Sequence, residues 1–237
     1  VTAVERLDED GVATLTLNRP EKRNAIDGEM FEALRGHLDR LAAEGEQVGC
    51  VILTGAGPSF CAGADVQMMA APTAPETWIR RAATVDLLGR LPQPVIAAVR
   101  GHCYAGGLEL ALAADLIVVS ETAKMRDIHV RYGGHPAWGL SARLPLRVGA
   151  SRAKMMTLLQ HEVCGAEAAG IGLAELCVAD GELENCAHKM ARQIAAGDRL
   201  AAFRLKHLID RSGAATTADQ IAYERAYRSR VRKSGGW

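Results

Sequence analysis

Two glycine-rich stretches set the tightest limits on how this chain can fold: Cys61-Ala62-Gly63-Ala64-Asp65-Val66 and Gly101-His102-Cys103-Tyr104-Ala105-Gly106-Gly107-Leu108-Glu109. Each follows an apolar run with the character of a strand, and each leads into a segment able to begin a helix. Small residues at such a junction leave backbone N–H groups uncovered in front of the helix N-terminus, where no turn of the helix can accept from them. Two junctions set face to face would hold one developing negative charge from both sides, the geometry of an oxyanion hole. The same glycines also suit tight turns or close helix–strand packing. Glu109 stands just beyond the second junction, in the first turn of the apolar segment Leu108 to Ala114. A carboxylate there is costly to bury unless it faces a cavity or a partner, although it also suits the positive end of a helix dipole.

The flanking sequence predicts an α/β class. Val12 to Leu17 alternates like a strand and stops at Asn18-Arg19-Pro20; Met30, Phe31, Leu34, Leu38 and Leu41 then recur at helical spacing, with Asp27 as the N-cap. Val51-Ile52-Leu53 reads as a buried strand, so strand–helix–strand order implies a crossover unit. Residues 67–77 read as a mobile loop, 77–90 as a helix, Val95 to Val99 and Leu116 to Val119 as strands, and the chain from about 151 as mostly helical. The expected organisation is an α/β core over 1–175 and a helical region over 176–237.

Composition removes several classes. Lys+Arg and Asp+Glu are both 28, so no global charge steers the chain to nucleic acid or an anionic membrane, and aromatics at 4% argue against base stacking. No apolar run reaches transmembrane length, and the N-terminal residues carry neither a signal-peptide core nor an Arg-rich transit pattern. Cys50, Cys61, Cys103, Cys164, Cys177 and Cys186 form no C-x-x-C pair and no zinc-like grouping with histidine, which reads as reduced, packed thiols, no metal site and a cytoplasmic location.

Taken in order, further segments resemble the crotonases, the enoyl-CoA hydratase/isomerase superfamily. They are Leu17-Asn18-Arg19-Pro20 with Arg23-Asn24-Ala25, Val51 to Gly55, Phe60 to Asp65, Pro94 to Gly101, Ala105 to Leu110, Ala114-Asp115 and Ala166 to Ala169. The resemblance spans nearly the whole chain. It implies a spiral of ββα units with a helical C-terminal region that builds a homotrimer, often a dimer of trimers. It also implies an acyl-CoA thioester as partner, coenzyme A being part of the substrate and no separate cofactor being needed. Position by position, it assigns the N–H groups of Ala64 and Gly106 to the thioester oxygen, and Lys22, Arg23, Ala25, Ala62 and Asp65 to the surroundings of CoA. The basic run Arg225 to Lys233 reads as a solvated helix face, with CoA phosphates or a neighbouring subunit as alternatives.

The acid–base pair departs from the family pattern. Glu109 matches one of the two hydratase carboxylates, but counting from Asp115, and back from Gly133 and Pro136, places the second at His129. Histidine, with an ordinary pKa of about 6.5, is able to work as acid or base near neutrality. A packed histidine with no proton-transfer role is the plainer alternative, and Asp127 and His135 are lesser candidates nearby. The expected reaction is hydration of a 2-enoyl-CoA to a 3-hydroxyacyl-CoA through an enolate. Isomerisation, decarboxylation and thioester hydrolysis in the same hole are the enzymatic alternatives, and an acyl-CoA-binding protein without turnover is the non-enzymatic one.

Overall fold

The computed structural model describes residues 2–70, 73–213 and 215–233. In chain order the first elements are β1 (Val4–Glu9), β2 (Val12–Leu17), α1 (Gly28–Glu44), β3 (Cys50–Gly55), α2 (Val66–Ala70) and α3 (Pro75–Gly89). There follow β4 (Val95–Val99), β5 (His102–Tyr104), α4 (Gly106–Ala113), β6 (Leu116–Ser120), β7 (Lys124–Arg126), α5 (Leu140–Val148) and α6 (Ala150–Leu158). The remainder is β8 (Val163–Cys164), α7 (Gly165–Gly170), β9 (Leu176–Val178), α8 (Leu183–Ala195), α9 (Arg199–Ser212) and α10 (Thr217–Lys233).

The strands form two sheets. The larger runs β1-β2-β3-β4-β6-β9 and is parallel except for the β1–β2 hairpin; the smaller runs β5-β7-β8. Successive strands β4 and β5, then β6 and β7, place one member in each sheet before a helix follows, so the expected spiral of ββα units is what the chain forms. All five residues of β4 are buried, as a central parallel strand covered on both faces requires. Alternation then divides them: Val95, Ala97 and Val99 join the core under α1, α3 and α4, while Ile96 and Ala98 meet Leu183, Ala187, Ala191 and Ala195 of α8.

Local signals account for the helix that covers this core. Asp27 caps α1 by accepting from the Met30 N–H at 2.9 Å, worth about 1 kcal/mol. Behind the cap, Met30, Phe31, Leu34, Leu38 and Leu41 are all buried, each contributing roughly 1.5–3 kcal/mol of transfer free energy.

Three expectations change. The span 67–77, read as one loop, contains most of α2 and the first turn of α3, whose start is fixed by Pro75 at the first helical position; Ala71 and Pro72 lie outside the described residues. The sheet continues past residue 175, because Val118, Val119 and Ser120 of β6 pair in parallel with Leu176, Cys177 and Val178 of β9. And α8, beyond that strand, is the helix that closes the second face of the sheet. The later α9 is tied back by Lys206, whose ammonium reaches Asp115 at 2.6 Å while the same Asp115 oxygen accepts from the Val95 N–H. Among the described residues no helix is long and apolar enough to cross a membrane.

Candidate active site

Both glycine junctions lie past the carboxyl ends of parallel strands β3 and β4, and the fold brings them into contact. Cys61 bridges Cys103 in parallel, and the Cys61 N–H donates to the His102 carbonyl at 2.9 Å while the Tyr104 N–H returns to the Cys61 carbonyl at 3.0 Å. A Cβ added to Gly63 would sit 3.3 Å from the Gly106 nitrogen and 2.9 Å from the Tyr104 oxygen. A Cβ on Gly107 would run into the Cys61 carbonyl. Glycine is therefore the condition for this approach. Ile26 N–H to Gly63 O and Asp65 N–H to Ile26 O, both 2.8 Å, engage the groups on either side of Ala64. Among the described residues, no protein acceptor takes the N–H of Ala64 or of Gly106. Ala105 meanwhile holds φ at +46, a left-handed conformation that an alanine adopts at a cost of order 1–3 kcal/mol, and it turns β5 into α4.

The thiols at this junction are inert. Burial pushes the Cys61 thiol up to about 12 and the Cys103 thiol well above its ordinary value, so neither supplies a thiolate.

Glu109 is 1% exposed on a helix whose every residue is buried. Its Oε1 accepts from the Trp138 N–H at 2.7 Å and from the Leu140 N–H at 3.2 Å. Its Oε2 lies 3.8 Å from Nε2 of His129. Nδ1 of His129 is 2.6 Å from Oδ1 of Asp127, which also accepts the His129 backbone N–H at 3.0 Å. Asp127 is itself buried, so the carboxylate fixes the ring and leaves Nε2 facing Glu109. Burial in apolar surroundings pushes the Glu109 carboxyl above the usual range, against the lowering by the Trp138 and Leu140 N–H bonds and by His129. Burial alone would lower His129, but its hydrogen bond to Asp127 and the charges of Asp127 and Glu109 outweigh that and raise it.

The structure thus brings Ala64, Gly106, Glu109 and His129 into one region, with Asp127 behind the histidine. His135 is exposed and lines a cavity of about 360 Å³ beside His129 and Asp127, walled largely by Val130, Leu140, Leu144 and Ala153; that lining includes neither Glu109 nor the two junctions. Trp138 carries no local sequence signal, yet its ring packs on Gly106 and its N–H fixes Glu109.

On the other side of the first junction, Lys22 and Arg23 are exposed on a loop clamped by buried Asn24, whose Nδ2 donates to the Ala56 and Ser59 carbonyls at 2.9 and 2.7 Å. The Ala62 N–H reaches the Arg23 carbonyl at 3.0 Å, and Ala25 gives its carbonyl to Arg19 at 2.6 Å. Asp65 is taken up by Arg19 at 3.1 Å and by the Gln67 N–H at 2.9 Å, so its carboxylate braces the loop and starts α2. Lys124 lies opposite His102 in the β5–β7 pairing, and burial together with the Arg23 and Lys124 charges lowers the His102 pKa. Lys124 had no signal of its own; only strand pairing adds it to this basic region.

The comparisons with known proteins cover the chain as a whole. The enoyl-CoA hydratase/isomerase family model matches residues 8–234. The Escherichia coli 1,2-epoxyphenylacetyl-CoA isomerase is 31% identical, over 97% of this chain and 90% of its own. A solved enoyl-CoA hydratase from Bacillus anthracis superposes with a TM-score of 0.90 at 29% identity, covering 95% of this chain and 90% of that one. A chain from Thermobifida fusca, solved in complex with acetoacetyl-CoA, gives a TM-score of 0.88 at 30% identity, with 98% and 96% covered.

Proposed function

Because the chain belongs to the enoyl-CoA hydratase/isomerase family, we propose that this acyl-CoA enzyme adds water across the double bond of a 2-enoyl-CoA. The observation that carries the proposal is the 3.8 Å separation of Glu109 Oε2 and His129 Nε2, which lets one water oxygen sit within hydrogen-bonding reach of both.

The roles follow from placement: two backbone N–H groups fix Glu109 on one side of the gap and Asp127 fixes His129 on the other. A carboxylate of raised pKa is a stronger base, and an imidazolium held by Asp127 keeps its proton to higher pH. Glu109 takes a proton from the water as its oxygen bonds to C3 of the acyl group. The π electrons move onto the thioester oxygen, where the Ala64 and Gly106 N–H groups receive the enolate charge. His129 then delivers its proton to C2 as the carbonyl re-forms. The proton gained by Glu109 and the one lost by His129 balance across the gap between them. Lys22 and Arg23 would meet the CoA phosphates as cations on an exposed loop, with the Ala25 and Ala62 backbone alongside the nucleotide.

The test is incubation of the pure protein with enoyl-CoA thioesters of several lengths, followed by mass analysis. A product heavier by one water supports hydration. Free CoA, or an isomer of unchanged mass separated by chromatography, replaces it with another reaction, and so does loss of carbon dioxide from a β-carboxyacyl-CoA thioester included in the same panel.

The pH profile checks the assignments separately. kcat/KM is expected to rise through the Glu109 pKa, which lies above the ordinary carboxyl range, and to fall through that of His129, above about 6.5. Asp127→Asn removes the anion that holds the imidazolium, so the upper limb is expected to move to lower pH. An unmoved limb would take Asp127 out of the mechanism.

Self-association belongs to the same proposal. Leu146, Met155, Leu158 and Leu159 are exposed on packed helices α5 and α6 and the residue after them, an apolar face suited to further copies of this chain in a trimer. Leu158→Asp is expected to shift sedimentation toward monomer; an unaltered mass would move the interface elsewhere.

A further inference from the structure

The buried face of α3 consists of Arg81, Thr84, Val85 and Leu88, so a guanidinium occupies a core position between apolar neighbours. Arg81 is 9% exposed, and among the described residues its buried Nη1 has no hydrogen-bond partner. Glu32, next to Phe31 on α1, pairs with exposed Arg80 at 2.6 Å, and Asp86 of α3 pairs with Arg143 at 3.1 Å, so these two carboxylates are engaged elsewhere. What Arg81 does have is aromatic. Its Cζ lies 5.0 Å from the Trp78 ring centre and 5.8 Å from that of Phe31. Ring faces offset part of the cost of burying the cation, but they accept no N–H bond in the plane of the guanidinium. An arginine does not lose its proton to escape that cost, so the position calls for an anionic oxygen.

Its surroundings say where that oxygen comes from. Phe31 packs edge-on against Trp138 with centroids 5.0 Å apart, and the Trp138 ring lies on Gly106. Since α3 ends at Gly89 just before β4 begins at Val95, its first half lies toward the carboxyl ends of the strands, as both junctions do. Arg81 is therefore linked to the thioester site through two aromatic rings, Phe31 and Trp138.

We propose that Arg81 selects acyl-CoA substrates whose acyl group carries a carboxylate remote from the thioester, the guanidinium and that carboxylate forming a charge-assisted, fork-shaped pair inside the aromatic enclosure. The inference rests on the assignment of Ala64 and Gly106 to the thioester, and it adds the chemical class of the acyl group.

The experiment measures calorimetric binding of matched saturated thioesters to the full chain: succinyl-, adipyl- and suberyl-CoA against butyryl-, hexanoyl- and octanoyl-CoA. At least one dicarboxyl thioester is expected to bind about tenfold or more tightly than its alkanoyl match. Arg81→Met is expected to abolish that preference with alkanoyl-CoA and free CoA affinities unchanged, while Arg81→Lys keeps part of it. Equal affinity for the two series in the unaltered protein overturns the role of Arg81 whether or not the variants fold. So does a preference that survives Arg81→Met, or a loss that falls equally on free CoA. Binding of no thioester in either series overturns the acyl-CoA assignment itself, and the Arg81 proposal with it.

Discussion

Glu109→Gln is expected to lower kcat for enoyl-CoA hydration by about 10²–10⁴ while leaving acyl-CoA affinity within severalfold. The amide keeps the size of the side chain, and its oxygen still accepts the Trp138 and Leu140 N–H bonds now made by Oε1. What disappears is the lone pair at Oε2 that takes the water proton opposite His129, 3.8 Å away. An affinity collapse alongside the rate would mean that the carboxylate holds the loop 138–140 in place and little else. A protein that binds acyl-CoA and turns over none of a broad thioester panel, before or after the substitution, is a binding protein; the same assay separates the two. His129→Gln provides the companion measurement, because it removes the acid and with it the upper limb of the pH profile.

Gly107→Ala is expected to be the most damaging single-methyl change in the site. The added Cβ meets the carbonyl oxygen and carbon of Cys61, backbone atoms held in register by the Cys61 and Tyr104 hydrogen bonds. A flexible side chain would swing away; a paired backbone moves only with its strand. The two junctions must separate, and the Ala64 and Gly106 N–H groups no longer converge on one oxygen. Overpacking of this kind costs about 1–3 kcal/mol of stability, and loss of one oxyanion donor costs on the order of 10²–10³ in rate. Thermal unfolding and steady-state kinetics on the same preparation check both. Retention of full activity would show that the approach of the junctions does not shape the hole.

Much of this site was legible because its parts are local. A strand running into small residues and then an apolar helix announces uncovered N–H groups whatever surrounds it. Glu109 is conspicuous as the lone charge in Leu108 to Ala114. The resemblance to the crotonases, counted from Asp115 and back from Gly133 and Pro136, pointed to His129 with Asp127 and His135 as lesser candidates, and Asp27 was identifiable as a cap because capping spans only three residues. The helical reading failed to extend into 67–77, where Pro72 and Pro75 suggested a break; Pro75 instead begins a helix, a role that needs no N–H from it.

Other parts depended on contacts with no sequence neighbourhood. Glu109 meets His129 only because α4 packs against the segment after β7, although Asp127, which orients the ring, is a near neighbour of the histidine in the chain. Trp138 stands isolated in its stretch of sequence, yet in space its ring lies on Gly106 and its N–H on Glu109. Arg81 and Arg80 are adjacent, similar residues on one helix, yet Arg80 is exposed and salt-bridged while Arg81 is buried against aromatic rings with no partner for its Nη1 among the described residues.

The sequence by itself determined the family, the junctions and the candidate pair Glu109 and His129, because motif spacing and helix or strand period are set within a few residues. Only the tertiary structure decided which oxygen of Glu109 faces His129, how Trp138 meets Gly106, and what surrounds Arg81. Those are matters of desolvation and of distances between segments far apart in the chain, and burial shifts a charge only after the whole core has closed around it.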